Sequence, residues 1–228
     1  MDQRIHINLD GKIIAVEKGI TLQRFFAEYS DPEAALIVAG KVDNRIRELT
    51  WTLETDCRVE PIDLTDKDGE RIYTRSLVFV FIRACREVFP DSTVSVEHSY
   101  GGGLYCEVHG KSALTPRQVN RIEKQLAAII EMDEPFIRIE VSKDEANKIY
   151  HTMNDPDKVK ILKHRPEETV SLYQCGWMTD YLYGYMVPST SYLRQFGLKF
   201  YLPGVVLQYP SSEYSGQIRE FHENPKLF

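Results

Sequence analysis

Residues 4–16 have the sequence RIHINLDGKIIAV, and this stretch decides the fold predicted for the start of the chain. Ile5, Ile7 and Leu9 alternate with polar residues, which is the period of a strand with one buried face. Asp10-Gly11 follows, and this pair tolerates the positive φ angles of a tight turn between two strands. The pattern therefore predicts a β-hairpin.

The segment after this hairpin predicts one short helix and two further strands. Thr21 is a suitable N-cap, because its hydroxyl can accept a hydrogen bond from a free amide of the first turn. The apolar side chains of this helix are Leu22, Phe25, Phe26 and Tyr29. Apolar runs over 35–42 and 57–62 predict strands. Residues 1–64 are therefore expected to form a small β-rich domain, and the largely polar residues 65–73 are interpreted as a linker.

Residues 74–210 are predicted to form a second and larger α+β domain. A helix over 74–89 is apolar on nearly every side, which is typical of a helix at the centre of a core. Thr115 and Ser142 are each followed three residues later by a glutamine or glutamate, so two capping boxes predict two further helices. Strands are predicted over 93–97, 104–108, 136–141, 170–173, 198–201 and 205–209. Residues 211–228 are interpreted as a connecting tail.

The composition restricts the classes of partner. The net charge of the 228-residue chain is −6 at pH 7. Dedicated nucleic-acid binders are usually basic, because their affinity depends largely on neutralising phosphates. Any RNA binding must therefore come from a local basic patch or from a partner domain. The longest apolar run, 77–82, is far too short to span a bilayer, so we expect a cytoplasmic protein without membrane contact.

Two short patterns have the spacing of known sites but lack an essential feature. Gly110-Lys111-Ser112 matches the end of a phosphate-binding loop, but Tyr105 replaces the glycine required upstream. Cys106 and His109 have the spacing of metal ligands, but residues three apart on a strand face opposite sides. The sequence therefore predicts no metal site, no cofactor and no catalytic residue from these patterns.

A basic cluster lies between the second capped helix and the strand near residue 170. Its members are Lys158, Lys160, Lys163 and Arg165. With Tyr173 and Trp177 it can be interpreted as a surface that holds a nucleic-acid backbone and stacks a base. The alternative interpretation is the solvated face of a helix. The sequence leaves both interpretations open.

The first of these segments resembles a known module. Residues 1–64 are similar to a TGS domain, the ubiquitin-like β-grasp module at the start of threonyl-tRNA synthetases and of some stringent-response and GTPase proteins. The segments that carry the resemblance are Asp10-Gly11, Gly19-Ile20-Thr21-Leu22, Ala39-Gly40-Lys41-Val42-Asp43 and Asp68-Gly69. The resemblance implies a β-grasp fold for this part of the chain.

Residues 72–210 resemble the second domain of threonyl-tRNA synthetase, which is also found beside alanyl-tRNA synthetase and hydrolyses mischarged tRNA. That family uses His-x-x-x-His on its first helix and Cys-x-x-x-His near its end. The positions that match here are Arg75, Phe79, Leu182 and Met186. None of these side chains can activate water near neutral pH, because three have no titratable group and arginine stays protonated. The resemblance therefore implies an editing-type α+β fold without the editing reaction.

The resemblance places a degenerate cleft between the first helix and the final motif. The candidate binding residues of this cleft are Arg75, Phe79, Glu97, His98, Tyr105, Leu182, Tyr183, Tyr185 and Met186. One interpretation is a pocket in which Arg75 holds a phosphate or carboxylate through two hydrogen bonds. The other is a filled core, in which Phe79 and Met186 occupy the space and Arg75 pairs with Glu97.

The whole arrangement resembles the N-terminal half of bacterial uridine-kinase-like nucleoside kinases. The features on which this resemblance rests are the TGS-like domain, the second domain without its histidines, and the tail over 219–228. This resemblance implies an ATP-dependent kinase domain farther along the same polypeptide, on the far side of that tail. The chain is then expected to be a non-catalytic binding or regulatory region whose ligand is tRNA, another RNA or a nucleotide.

Two alternative functions remain. The first is a structural or homo-oligomerising element, which the 13 tyrosines of the chain suit because tyrosine is enriched at interfaces. The second is an editing-type hydrolase with non-standard groups. Those groups would be Arg75, Glu97, His98, Cys106 and Tyr185.

Overall fold

A computed structural model describes residues 4–31, 35–110, 113–153, 156–163, 166–181 and 183–222. Within them, the first part of the chain folds into a five-stranded sheet, a pair of short strands and a helix. These elements are β1 (Arg4–Leu9), β2 (Lys12–Glu17), β3 (Ile20–Thr21), α1 (Leu22–Tyr29), β4 (Ile37–Val42), β5 (Arg45–Glu48), β6 (Thr52–Leu53) and β7 (Cys57–Asp63). The order of the sheet is β2-β1-β7-β4-β5, with β1 and β7 parallel.

The predicted hairpin is confirmed and supplies β1 and β2. Asp10 and Gly11 have φ angles of 48° and 81°, which is the left-handed region that such a turn requires. The alternate apolar side chains of β1 are buried on one face. Thr21 caps α1 as predicted, because its hydroxyl accepts a hydrogen bond from the Arg24 amide at 3.3 Å.

The described second part combines three sheets and three further α-helices with one long helix. Its elements are α2 (Lys67–Val88), β8 (Thr93–Tyr100), β9 (Gly103–His109), α3 (Pro116–Glu131), β10 (Ile137–Ser142), α4 (Lys143–Thr152), α5 (Pro156–Lys163), β11 (Thr169–Cys175), β12 (Met178–Asp180), β13 (Gly197–Tyr201), β14 (Gly204–Gln208), β15 (Pro210–Ser211) and β16 (Gln217–Ile218). Two sheets dominate, with the orders β13-β14-β9-β8 and β10-β11-β12. Both predicted capping boxes are present, at the starts of α3 and α4.

Helix α2 begins earlier than predicted, so most of 65–73 is helical and not a linker. The Asp66 carboxylate accepts a hydrogen bond from the Asp68 amide at 2.7 Å and caps the helix. Gly69 lies so close to β7 that a Cβ atom there would stand 1.9 Å from a backbone carbonyl oxygen of that strand. Most of the residues that we interpreted as a linker therefore form the capped first two turns of a helix packed on the first sheet.

Helix α2 lies at the centre of the core, as predicted. Tyr73, Leu77, Phe79 and Phe81 are fully buried. Their apolar cluster also contains side chains of β4 and β7, so the first sheet packs directly on α2. Burial of each such side chain contributes about 1.5–3 kcal/mol. The two parts of the chain therefore share apolar contacts, beyond their covalent connection.

Residues 211–222 are packed against the second part and do not form a free tail. Glu70 on α2 accepts a hydrogen bond from the Ser212 amide at 2.7 Å. The ring of Phe221 lies 6.2 Å from the ring of Tyr100, in a small aromatic cluster on the sheet that contains β8. The remaining residues of the predicted tail lie outside the part of the chain that the structure describes.

The predicted fold class is confirmed, because several sheets and separate helices form an α+β architecture. Four predicted strands, β8, β9, β11 and β13, are one to three residues longer than expected, since sheet pairing continues into the flanking turns. β10 and β14 have the predicted lengths and are shifted by one residue. None of the described helices is both long and apolar enough to cross a membrane.

Candidate functional site

The loop after β12 packs against α2 through Arg75. Its guanidinium donates a hydrogen bond from Nη1 to the Tyr185 carbonyl oxygen at 2.7 Å. Gly184 has a φ of 106°, and a Cβ there would stand 2.8 Å from Cζ of Arg75. Burial lowers the pKa of Arg75, but a guanidinium remains charged at neutral pH. Arg75 therefore holds the backbone of this loop from the side of α2. The close approach of its guanidinium requires glycine at residue 184.

A carboxylate from the first sheet reaches the same loop. Glu48, at the end of β5, accepts a hydrogen bond from the Met186 amide at 3.2 Å and another from the Tyr173 hydroxyl. The Tyr173 oxygen also lies 3.1 Å from the Gly184 carbonyl oxygen. Burial, and then the neighbouring Glu48 carboxylate, raise the pKa of Tyr173 far above its usual value, so this tyrosine stays neutral. Glu48 thus ties the first sheet to the loop.

Two of the four positions that match the editing motif are part of the core. Phe79 is 0% exposed, and its ring packs edge-on against Phe136 at 5.6 Å. Met186 is 1% exposed, and its sulfur lies 3.7 Å from the Ser76 hydroxyl. These two side chains therefore fill the space, as one of our two interpretations stated. The third position, Leu182, lies outside the described residues.

Glu97, His98 and Tyr105 do not lie beside Arg75, which corrects the predicted cleft. The ring of Tyr105 belongs to the aromatic cluster with Tyr100, whereas its neighbour Cys106 packs in the core with α2. Because successive side chains of a strand alternate between faces, Tyr105 lies on the opposite face of the sheet from α2. His98 pairs with Tyr105 there, with the two rings 5.4 Å apart.

Glu97 lies on a different part of the structure from Arg75, with which we expected it to pair. It is exposed and sits at an irregularity between β8 and β9, where the register shifts between Val96 and His98. Among the residues that the structure describes, no carboxylate forms an ion pair with Arg75. The predicted pair of Arg75 with Glu97 is therefore wrong, because Arg75 binds a loop carbonyl and Glu97 stands on another strand.

A cavity of about 490 Å³ opens on the outer side of the loop. The residues that line it are Arg138, Glu167, Thr169, Val170, Ser171, Tyr173, Tyr181, Tyr183, Gly184 and Tyr185. From the predicted cleft it contains Tyr183 and Tyr185, while Arg75 only supports its wall from behind. We call this space the tyrosine cavity.

Arg138 supplies the positive charge of the tyrosine cavity. It projects from β10 and donates a hydrogen bond to the Ser171 hydroxyl at 3.2 Å. Its guanidinium carbon lies 5.9 Å from the centre of the Tyr185 ring. Tyr183 is 84% exposed and offers a free ring face. Sequence reasoning missed Arg138, although an arginine between two isoleucines of a predicted strand is a signal that it faces away from the core.

One described member of the predicted basic patch, Lys158, contacts a buried acid. Lys158 is bound to the carboxylate of Asp180, which is 2% exposed. Lys160 and Lys163 are exposed on α5, three residues apart on one face. Arg165 lies outside the described residues. Lys158 therefore neutralises a buried acid, and among the described members of the patch Lys160 and Lys163 are exposed on α5.

The Cys106–His109 pattern and the Gly110-Lys111-Ser112 pattern were predicted not to form sites. Cys106 is buried, whereas His109 is exposed and lies 2.9 Å from the Ser95 hydroxyl, so the two face opposite sides as predicted. Burial raises the pKa of the Cys106 thiol to about 12, so it is not a thiolate near neutral pH. Lys111 and Ser112 lie outside the described residues.

Comparison with curated proteins shows which proteins this chain resembles. It is 30% identical over 200 residues to a threonine–tRNA ligase of Symbiobacterium thermophilum. These 200 residues cover 87% of this chain and 31% of the ligase. It is 32% identical over 200 residues to that of Bacillus velezensis, again 87% of this chain and 31% of the ligase. A scan against models of protein families finds no match.

The chain thus spans about a third of the length of the curated relatives it matches. This similarity confirms the resemblance to part of threonyl-tRNA synthetase that we inferred from short motifs. Over most of its length, this chain is similar to a region of threonine–tRNA ligases.

Proposed function

We propose that this chain is a tRNA-binding region that has lost the editing reaction, with the tyrosine cavity as its binding site. One observation carries the proposal. Phe79 and Met186 fill the positions of two editing side chains, while an open cavity with an arginine and several tyrosines lies beside them. The similarity to enzymes that are named for their action on tRNA supports this class of ligand.

The groups near the cavity do not supply a means to activate water. A general base needs a free group whose pKa lies near the working pH. Tyr173 has a pKa far above its usual value, and its hydroxyl is already bound to Glu48. Arg75 stays charged and is bound to a backbone carbonyl. Glu167 lines the cavity and is exposed to water.

The same groups are suited to binding. The planar guanidinium of Arg138 can bind a phosphate or carboxylate through parallel hydrogen bonds. The exposed ring of Tyr183 can stack on a base, and such stacking is worth about 1–3 kcal/mol per base. Because the net charge of the chain is −6, this local arginine has to provide the attraction to phosphate that the whole molecule does not.

A binding experiment with matched variants tests the proposal. Deacylated, fluorescently labelled tRNA is titrated with the wild-type chain, with Arg138→Gln and with Tyr183→Ala. Lys12→Gln removes one exposed positive charge on β2 and serves as the control. We expect both cavity variants to weaken binding by about 10-fold, the loss of about 1.4 kcal/mol, and the control to bind like wild type. Equal binding by all four proteins would refute the cavity as the site.

We also propose the finer features inferred from the sequence. The chain is divided into a TGS-like part over 1–64 and an editing-like part over 74–210, which the start of α2 connects, and it precedes a uridine-kinase-like, ATP-dependent domain in its polypeptide. The loss of editing side chains supports the kinase parent, whereas the threonine–tRNA ligases among its relatives support a ligase parent. The coding frame after Phe228 decides: a phosphate-binding loop indicates the kinase, and a ligase catalytic domain excludes it.

A further inference from the structure

A second cavity lies on the first sheet, away from the tyrosine cavity. Its volume is about 390 Å³, and Asp43, Arg45, Arg47, Trp51 and Glu54 are among the residues that line it. β5 is an edge strand of the sheet. Arg45 and Arg47 share one face of β5, and Ile46 and Glu48 share the other, because side chains alternate along a strand. We call this cavity and its two arginines the Trp51 site.

Trp51 has an accessible indole on a backbone that is fixed by hydrogen bonds. Its side chain is 47% exposed. Its amide donates to the Glu48 carbonyl oxygen at 2.9 Å, and its carbonyl accepts from the Leu22 amide at 2.9 Å. The Arg47 guanidinium lies 4.4 Å from the centre of the indole ring. A large aromatic side chain is thus exposed on a backbone that is fixed on both sides.

The two arginines of the Trp51 site have no carboxylate partner among the described residues. The Asp43 carboxylate accepts a hydrogen bond from the Arg58 amide at 2.9 Å, and Glu54 pairs with Lys18 at 3.9 Å. Among the described residues, neither the Arg45 nor the Arg47 guanidinium forms an ion pair. Both carboxylates therefore have a hydrogen-bond or ion-pair partner, whereas the two arginines have no carboxylate partner among the described residues. Arg47 already lies against one face of the indole, so its remaining N–H donors and the Arg45 guanidinium are the groups that can bind a ligand.

We propose that the Trp51 site binds single-stranded RNA, with a base stacked on Trp51 and phosphates held by Arg45 and Arg47. This inference rests on the proposed function as an RNA-binding region, and it adds a second contact on the first sheet. A base of a duplex is already stacked and cannot use the indole. An acidic peptide shares the negative charge but has no base to stack. Single-stranded RNA matches both the aromatic surface and the free cations.

Trp51 itself provides the signal for the test. The chain has 2 tryptophans, so Trp177→Phe leaves Trp51 as the single source of indole emission. This protein is titrated with a short oligouridylate, with the corresponding duplex RNA and with oligoglutamate. We expect saturable quenching by the oligouridylate alone. Equal quenching by oligoglutamate would overturn the assignment to RNA and indicate an acidic peptide.

Charge variants in the same background measure the phosphate contacts. Arg45→Gln combined with Arg47→Gln is expected to reduce the slope of log affinity against log salt by about 1.4, which is about 0.7 per phosphate on a single strand. The control combines Arg4→Gln with Lys12→Gln, two exposed cations on β1 and β2 at the opposite side of the sheet. The control should keep the wild-type slope. Identical slopes for the two double variants would refute the phosphate contacts.

A separate comparison distinguishes this inference from the proposed function. Binding of tRNA is measured for Trp51→Ala and Arg138→Gln, and Trp51→Ala is expected to weaken it by about 5- to 150-fold, the usual loss for one stacked base. If Arg138→Gln weakens tRNA binding, Trp51→Ala does not, and Trp51 emission is unchanged by RNA, this inference fails and the proposed function stands. If the wild-type chain binds no RNA at all, both fail.

Discussion

Replacement of Glu48 by alanine tests the junction between the first sheet and the tyrosine cavity. The change removes the acceptor of the Tyr173 hydroxyl and of the Met186 amide. A hydrogen bond to a charged group contributes about 1.5–3 kcal/mol. Because Glu48 is partly exposed, we expect the sum for both bonds to be only about 2 kcal/mol. For a chain of this size that loss lowers Tm by about 4–8 °C.

A double-mutant cycle with Tyr173→Phe isolates the contact. Urea unfolding is measured for wild type, both single variants and the double variant, and the coupling energy is expected to be about 1 kcal/mol or more. Glu48→Gln keeps an acceptor oxygen and should lose less than Glu48→Ala. A coupling energy near zero, with equal losses for Gln and Ala, would show that the carboxylate does not hold Tyr173.

Three further predictions concern stability. Phe79→Ala should lower the free energy of unfolding by about 3–5 kcal/mol in urea titrations, because the side chain is fully buried; a loss below 1 kcal/mol would contradict a filled core. Lys158→Met should lower the free energy of unfolding, but by less than the loss of about 3–5 kcal/mol that follows when a fully buried ion pair is broken, because Asp180 is buried but Lys158 is partly exposed. Unchanged stability would contradict the ion pair. Burial raises the pKa of Tyr73 and of Tyr173 in the folded state. The contribution of these two tyrosines to the free energy of unfolding is therefore complete below the unfolded pKa of about 10, and it falls above that pH by up to about 1.4 kcal/mol per pH unit for each tyrosine. A free energy of unfolding that stays constant from pH 9 to 11 would contradict this.

Local features of the fold were predictable from the sequence because their causes lie within a few residues. The Asp10-Gly11 turn depends on two backbone conformations, and the caps at Thr115 and Ser142 depend on a side chain three positions away. The start of α2 was missed because an acidic N-cap and a glycine packed on β7 have the same polar composition as a linker.

The candidate site was less predictable because its contacts join distant parts of the chain. Glu48 and Tyr173 are 125 positions apart, and no periodicity in either segment relates them. Lys158 was assigned to a surface patch because its partner, Asp180, lies in a strand beyond that patch. Tyr105 was assigned to the wrong face, since alternation along β9 shows which residues share a face but not which face meets α2.

The most direct measurement follows binding and hydrolysis on the same RNA. tRNA carrying a labelled amino acid on its terminal ester is mixed with increasing amounts of the chain, and the bound fraction and the lifetime of the ester are recorded together. With Phe79 and Met186 filling the editing positions, we predict saturable binding and an ester lifetime no shorter than in buffer. A lifetime that shortens in proportion to the bound fraction would contradict the central claim that this region binds tRNA without hydrolysing it.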